Sequence, residues 1–304
     1  MKKLFFIVGP TASGKSELAA DVAARRGAEI VSADAFQIYR GMPLLTAQPE
    51  PVLRHKVPHH LIDSVSPSEE MNAEKFRALA LATIDEMNAR GKPALVVSGS
   101  GLYIKALTHG LARLPAADRH LRAELQGLSL EELNKRLTNV DPLGAQKIDL
   151  KNKQRVVRAL EIFLQTNQPA SAHRSQWRAG DDRAAGVFVF RERGDLAARI
   201  NQRVERMFRS GVVEEVKVLG EVGATAAKTM GLEQIRQLLD GKISEAECIT
   251  AIQQSTRRYA KRQLTWFRRQ STFEPLNLSL LNDHHAAVDF IVAKAERAFA
   301  ASDD

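Results

Sequence analysis

Cysteine is nearly absent from this sequence. The 304 residues contain one, Cys248, which excludes an internal disulfide and any zinc site built from several cysteines. A reducing cytoplasm is the expected setting. No apolar run is longer than a strand, so no bilayer-spanning segment and no membrane partner are expected. The basic start MKKLFFIVGP loses its apolar character at Gly9, and reads as a buried strand rather than a leader. Internal repeats and low-complexity segments are also missing. Acids are unevenly absent from a chain of net charge +8. Residues 251–270 carry Arg257, Arg258, Lys261, Arg262, Arg268 and Arg269 with no acid. The stretch from Lys151 to Arg178 is basic with one acid, Glu161, while the tail 271–304 is mainly acidic. Two acid-poor segments in one chain point to a polyanionic partner, although a solvated helix face is the plainer reading of each alone.

What is present is the composition of a globular protein, 44% hydrophobic and 26% charged. LFFIV (4–8), EIVSA (29–33), ALVVS (94–98) and GVFVF (186–190) read as buried strands. The first three alternate with helical stretches, as in a parallel sheet with covered faces. Gly27 and Gly91 are placed as helix stops. No strand-like run occurs between Leu111 and about Gly180; short polar helices are expected there, one opened by Ser129 with Glu132 at capping-box spacing. The fold class expected is therefore α/β, a P-loop NTPase-like parallel sheet core with a helical insertion domain. Its parts are the core at 1–112, the insertion at 113–180 with soft borders (the far one at 175–186), and a largely helical second part of the core at 181–304. Residues 195–219 read as helical, with Ile200, Val204 and Met207 on one stripe, and 286–300 as a final helix with Val288, Ile291, Val292, Ala295 and Phe299 inward.

Gly9-Pro10-Thr11-Ala12-Ser13-Gly14-Lys15-Ser16 fits the nucleotide-binding phosphate-loop pattern between an apolar strand and a helix. Backbone N–H groups and a helix N-terminus hold an anion there. Lys15 adds a point charge, and the Ser16 hydroxyl is the ligand expected for Mg²⁺ shared with phosphate oxygens. A hydrolase of this class also needs an acid after a second strand. ALVVSGSG ends in serine and glycine, and GVFVFRER runs into Arg191 and Arg193. Asp34, after EIVSA, is the one strand-end carboxylate. It reads either as a functional acid or as a turn aspartate. A phosphate cradle without the second acid suits a transferase, in which the phosphates are a leaving group.

Seven ordered segments resemble one family, the tRNA dimethylallyltransferases (tRNA isopentenyltransferases). They are the loop itself, SADAFQIYRGMPLLTA (32–47), PHHLID (58–63), SGSGLYIKAL (98–107), QRVVRALEI (154–162), LAARINQRVERMFRSGVVEEV (196–216) and STRRYAKRQLTWFR (255–268). The resemblance implies transfer of the dimethylallyl group of dimethylallyl diphosphate to N6 of the adenosine at position 37 of the tRNA anticodon stem-loop. It implies Asp34 as general base, Thr11 at the donor phosphate, and Gly9 to Ser16 as the diphosphate site. For tRNA contact it implies Asp34, Ala35, Phe36, Gln37, Ser100, Arg122, Gln154, Arg155, Val156, Val157, Arg158, Lys228, Lys261, Arg262, Gln263, Thr265, Trp266 and Arg268. Arg193, Arg199 and Arg203 match recurring family arginines and are candidates to face pyrophosphate, with an exposed helix face as the alternative. Trp266 is open between stacking on RNA and packing in the core. Departures are Ala35 for serine, Ser98 for glycine, Ser100 for threonine and TMGLEQI (229–235), which weakens contacts by Leu232 and Glu233. The zinc finger of eukaryotic members is missing. An isopentenyltransferase of free adenine nucleotide, a phosphate-loop small-molecule kinase and a non-catalytic basic RNA-binding module remain the other readings.

Overall fold

The computed structural model describes residues 3–112, 114–174, 184–281 and 283–301. Of the expected far border at 175–186, residues 175–183 lie outside the described residues. So do the expected near edge of the insertion at 113, Arg178 of the basic segment and Asp303 and Asp304 of the acidic tail. The chain divides into two compact units, one of Met1–Thr108 with Asp182–Asp304 and one of His109–Asp181.

The larger unit is built on a six-stranded sheet. Its strands are β1 (Leu4–Val8), β2 (Glu29–Ser32), β3 (His59–His60), β4 (Ala94–Ser98), β5 (Gly186–Phe190) and β6 (Glu274–Asn277), in the order β3-β2-β4-β1-β5-β6. Every pairing is parallel. β1 is central, with Ile7 opposite Val97 of β4 and Val187 of β5. A strand covered on both faces needs apolar residues at successive positions, and LFFIV supplies them. Phe5 and Ile7 pack towards the helices Lys15–Arg26 and His284–Ala300, while Phe6 and Val8 face the opposite layer with Phe76, Ile84 and Met87. The chain leaves β1 towards β2, then returns to β4 and crosses to β5. The strand order therefore reverses beside β1, and that point of a parallel sheet leaves a crevice at the strands' C-terminal ends.

The expected parallel α/β core is observed, and the four expected strands appear at 4–8, 29–32, 94–98 and 186–190. β3 and β6 add to them. His59–His60 is too short to show a period, and β6 contains Pro275, which is tolerated because β6 is an edge strand. Residues 195–219 form two helices, Arg193–Arg209 and Val212–Val218, interrupted at Gly211. Ile200, Val204 and Met207 are buried as the stripe requires. Gly27 closes the helix Lys15–Arg26, as expected. The capping box stands elsewhere than at Ser129, where the hydroxyl accepts from the Glu132 N–H without a reciprocal bond. Ser244 and Glu247 form the full box and start the 26-residue helix Glu245–Gln270.

Within its described residues the smaller unit is helical: Arg119–Gly127, Leu130–Val140, Pro142–Lys147, Lys153–Thr166 and Ala170–Arg174. Leu125, Leu133, Leu137, Val156, Val157 and Leu160 form its core. Glu161, the lone acid of the basic segment, is fully buried at 0% exposure. Its carboxylate accepts from Arg122 at 2.6 Å, Arg158 at 2.8 Å and the Asp118 backbone N–H at 2.8 Å. Burial pushes this carboxyl up, but hydrogen bonds from Arg158 and Arg122 outweigh it and hold it below the usual carboxylate range. Its stability contribution is therefore present at neutral pH and is lost on acidification. Glu161→Ala leaves two arginines facing an apolar core, so it should destabilise this unit by about 3 kcal/mol. Thermal or denaturant melts should show the loss, and Arg155→Ala, at an exposed position, should not reproduce it.

Candidate active site

β1 delivers the loop Gly9–Ser16 to the crevice. A side chain at Gly9 would place its Cβ 2.0 Å from the Val189 carbonyl oxygen, so only glycine lets the loop turn this close to β5. Gly14 is the N-cap of the helix Lys15–Arg26. The first N–H groups of that helix have no acceptor within it, which leaves them for an anion.

Three of the loop's carbonyls are held by cationic side chains, two of these from just past β5 and from the helix after it. Lys15 Nζ donates to the Pro10 carbonyl at 2.7 Å, Arg199 Nε to that of Ala12 at 3.0 Å, and Arg191 Nε to that of Ser13 at 3.0 Å. Arg203 donates to Thr11 Oγ1 at 2.7 Å. Gln263 accepts from the Thr11 N–H at 2.9 Å and donates to the Gly99 carbonyl at 2.8 Å, joining the loop to the end of β4. Burial pushes the Lys15 ammonium down to about 8; Asp34 pulls the other way, and the Arg203 charge adds to the fall. Arg203 is itself lowered by burial, against the pull of Asp34. Burial desolvates these cations, a penalty that a bound diphosphate would relieve.

Asp34 follows β2. Its Oδ1 accepts from the N–H groups of Phe36 at 2.9 Å and Gln37 at 3.3 Å, which is the turn geometry foreseen as one alternative. Oδ2 takes no hydrogen bond from the described residues, and Asp34 lines the cavity beside the loop. Ser100 Oγ accepts from the Ala35 N–H at 3.3 Å. Ser98, the departure from glycine, donates to the Ala33 carbonyl at 2.7 Å and so ties β4 to this same turn. Gln37 is also occupied, accepting from Ser32 Oγ and donating to the Ala47 carbonyl. The Tyr259 hydroxyl bonds Ser100, and burial followed by the Asp34 charge pushes it up to about 12.

Thr11, Lys15, Asp34, Arg199, Arg203 and Gln263 thus share one cavity of about 740 Å³ in the larger unit. Several expected site residues lie elsewhere. Arg193 is exposed at the start of its helix, and Arg191 takes the loop contact. Gln263 is buried with both amide atoms engaged on the loop and Gly99, and the Trp266 ring lies against Gly101, where a Cβ would meet it at 2.3 Å. Trp266 also meets Phe267 edge-on and is half-buried. Phe36 packs against the sheet's core. Lys228, Lys261, Arg262, Thr265 and Arg268 are exposed. In the smaller unit Gln154 and Arg155 are exposed, Val156 and Val157 are core, and Arg122 and Arg158 hold Glu161. Arg155 is exposed, whereas the half-buried Arg158 donates to the Glu161 carboxylate. Sequence reading missed Arg191, Tyr259 and the loop-clamping use of Gln263. Only their nearness to expected motifs hinted at them.

A family model described as IPP transferase matches residues 37–270. The tRNA dimethylallyltransferase of Akkermansia muciniphila is 41% identical over 287 residues, covering 94% of this chain and 97% of that protein. The tRNA dimethylallyltransferase of Geobacter sulfurreducens is 45% identical over 279 residues, covering 88% and 89%. The crystal structure of the full-length tRNA isopentenylpyrophosphate transferase from Bacillus halodurans superposes with a TM-score of 0.71 at 32% identity, covering 100% of both chains. The family match begins at Gln37, just past the phosphate loop and Asp34, and these relatives extend the likeness over nearly the whole chain. This chain belongs to the IPP transferase family.

Proposed function

We propose that this protein transfers the dimethylallyl group of dimethylallyl diphosphate to N6 of the adenosine at position 37 of tRNA, releasing pyrophosphate. The observation that carries the reading is a phosphate cradle and one strand-end carboxylate, Asp34, in a single cavity, with Gly99 and Arg191 where a hydrolase would carry its second acid. In this reaction the adenine N6 forms a bond to the allylic carbon while the carbon–oxygen bond to the diphosphate breaks. The bonding pair leaves with pyrophosphate, and the amine proton passes to Asp34, whose Oδ2 is free to receive it. The growing charge on pyrophosphate falls among the helix N–H groups, Lys15, Arg199 and Arg203. The Arg203–Thr11 bond orients the Thr11 hydroxyl towards the donor phosphates.

Among the described residues no group of three or more His, Cys, Asp or Glu could hold a metal. The Ser16 hydroxyl makes no hydrogen bond to a described residue, and suits Mg²⁺ held mainly by the donor's own phosphates. When bound, Mg²⁺ would neutralise leaving-group charge. For the tRNA, exposed Lys228, Lys261, Arg262, Arg268 and Arg155 offer phosphate contacts. No helix among the described residues is long and apolar enough to cross a membrane. The scarcity of cysteine keeps a reducing cytoplasm within the proposal. Incubating the protein with labelled dimethylallyl diphosphate and unmodified tRNA tests the reading, against ATP with small acceptors; no prenylated adenosine in the tRNA digest would sink it.

Asp34→Asn keeps the turn bond but cannot take the proton, so kcat should fall by roughly a hundredfold or more while tRNA affinity stays. Unchanged turnover would leave Asp34 a turn residue only. Lys15 is charged below about pH 8 and neutral above it in the free protein. Donor affinity should therefore weaken as pH rises through about 8, binding there should take up protons, and Lys15→Ala should abolish this limb; calorimetry in buffers of different ionisation enthalpy measures it. Arg155→Ala combined with Lys261→Ala should flatten the dependence of tRNA affinity on salt by about one logarithmic unit per lost contact, without changing the donor KM. Identical slopes would return these residues to solvated helix faces.

A further inference from the structure

The cavity has a second wall, opposite in character to the phosphate loop. Residues 42–48 close one tight turn. The Thr46 N–H donates to the Met42 carbonyl at 3.1 Å, that of Ala47 to Leu44 at 3.1 Å, and that of Gln48 to Pro43 at 2.9 Å. The N–H groups of Leu44 and Leu45 each donate to one oxygen of Glu215, both at 2.8 Å. Glu215 comes from the helix Val212–Val218, far along the chain. Burial pushes its carboxyl up, against those two hydrogen bonds. The turn is also joined to the Asp34 segment, since Gln37 Nε2 donates to the Ala47 carbonyl at 2.9 Å and Gln48 Nε2 to the Gln37 carbonyl at 3.0 Å.

The consequence is chemical. With every N–H from Leu44 to Gln48 consumed, the turn has no backbone donor to offer an anion. Pro43, Leu44 and Ala47 present carbon to the cavity; Thr46 and Gln48 line it beside them with Oγ1 and Nε2 already donating to the Met42 and Gln37 carbonyls, and Met207 from another helix lines the same space. Resting on the donor reading above, we propose that the Pro43–Ala47 turn is the isoprenoid wall of the donor site, with Glu215 as the positioning residue that holds it against the cavity. The diphosphate is held at Thr11, Lys15 and Arg203. The five-carbon group lies on the turn, and the links through Gln37 keep that wall in register with the base, Asp34.

The test separates the two ends of the donor. Equilibrium binding of labelled dimethylallyl diphosphate and of inorganic pyrophosphate is measured on the full chain for wild type, Leu44→Ala and Glu215→Gln. Leu44→Ala should weaken dimethylallyl diphosphate by about tenfold, the scale of lost apolar contact in a pocket, and leave pyrophosphate unchanged. In Glu215→Gln one oxygen that accepted a backbone N–H becomes an NH₂ facing it, which loosens the turn, so the same split should appear. The double variant should lose little more than the worse single one, because both act on one wall. Loss of both ligands in parallel, or of neither, in Leu44→Ala overturns the assignment, and that variant decides the matter if Glu215→Gln does not fold. Failure of wild type to prenylate tRNA while it still binds pyrophosphate would instead overturn the donor reading beneath it.

Discussion

A loop that must present its N–H groups to an anion has to dispose of its carbonyls, and this one hands three of them to cationic side chains. Lys15 takes the Pro10 carbonyl, Arg199 that of Ala12 and Arg191 that of Ser13, while Gln263 and Arg203 secure Thr11 from its two sides. The anchors come from the phosphate helix, from β5 and the helix after it, and from the helix Glu245–Gln270, so elements scattered along the chain meet on eight residues. The phosphate loop is thereby held in its working shape, which lowers the reorganisation needed when charge develops on a leaving group. The desolvated Lys15 and Arg203 are the cost, and Asp34 partly offsets it.

The two carboxylate oxygens of Asp34 stand in different surroundings. One closes its own turn by accepting from the Phe36 and Gln37 N–H groups; the other takes no hydrogen bond from the described residues and belongs to a side chain that lines the cavity. The turn in turn fixes Gln37, which bonds Ser32 and Ala47 and so joins the end of β2 to the turn clamped by Glu215. Ser98 and Ser100 tie β4 into the same region. Two of the departures from the family pattern thus sit where their hydroxyls find partners.

Ion pairs are put to different uses in the two units. Glu161 draws Arg122 and Arg158 inward, and the resulting buried cluster fixes the smaller unit's fold. On the helix Glu245–Gln270 the basic residues find no acids: Lys261, Arg262 and Arg268 stay in solvent, Arg262 over the Tyr259 ring and Arg268 over that of Phe190. Charge held in this way is free for an external polyanion, whereas charge neutralised inside is not.

Local order in the sequence was enough for the core. The apolar runs of β1, β2, β4 and β5, the strand–loop–helix of residues 4–26 and the helical character of the stretch 119–174 all arise from short-range patterning, and they could be read directly. Asp34, Lys15 and Thr11 were legible for the same reason, each standing at a fixed offset from a strand end or glycine. β3 and β6 were not, because two residues have no period and a proline is acceptable only once its strand is known to be an edge. The partner choices were decided by tertiary structure alone. Arg158 meets Glu161, Trp266 lies on Gly101, and Gln263 bridges Thr11 and Gly99, partners that no local pattern names. A side chain's type and spacing state what it can bind, but which of several partners it binds is a matter of distance, and residues 100 or more apart in sequence acquire a distance only when the sheet assembles.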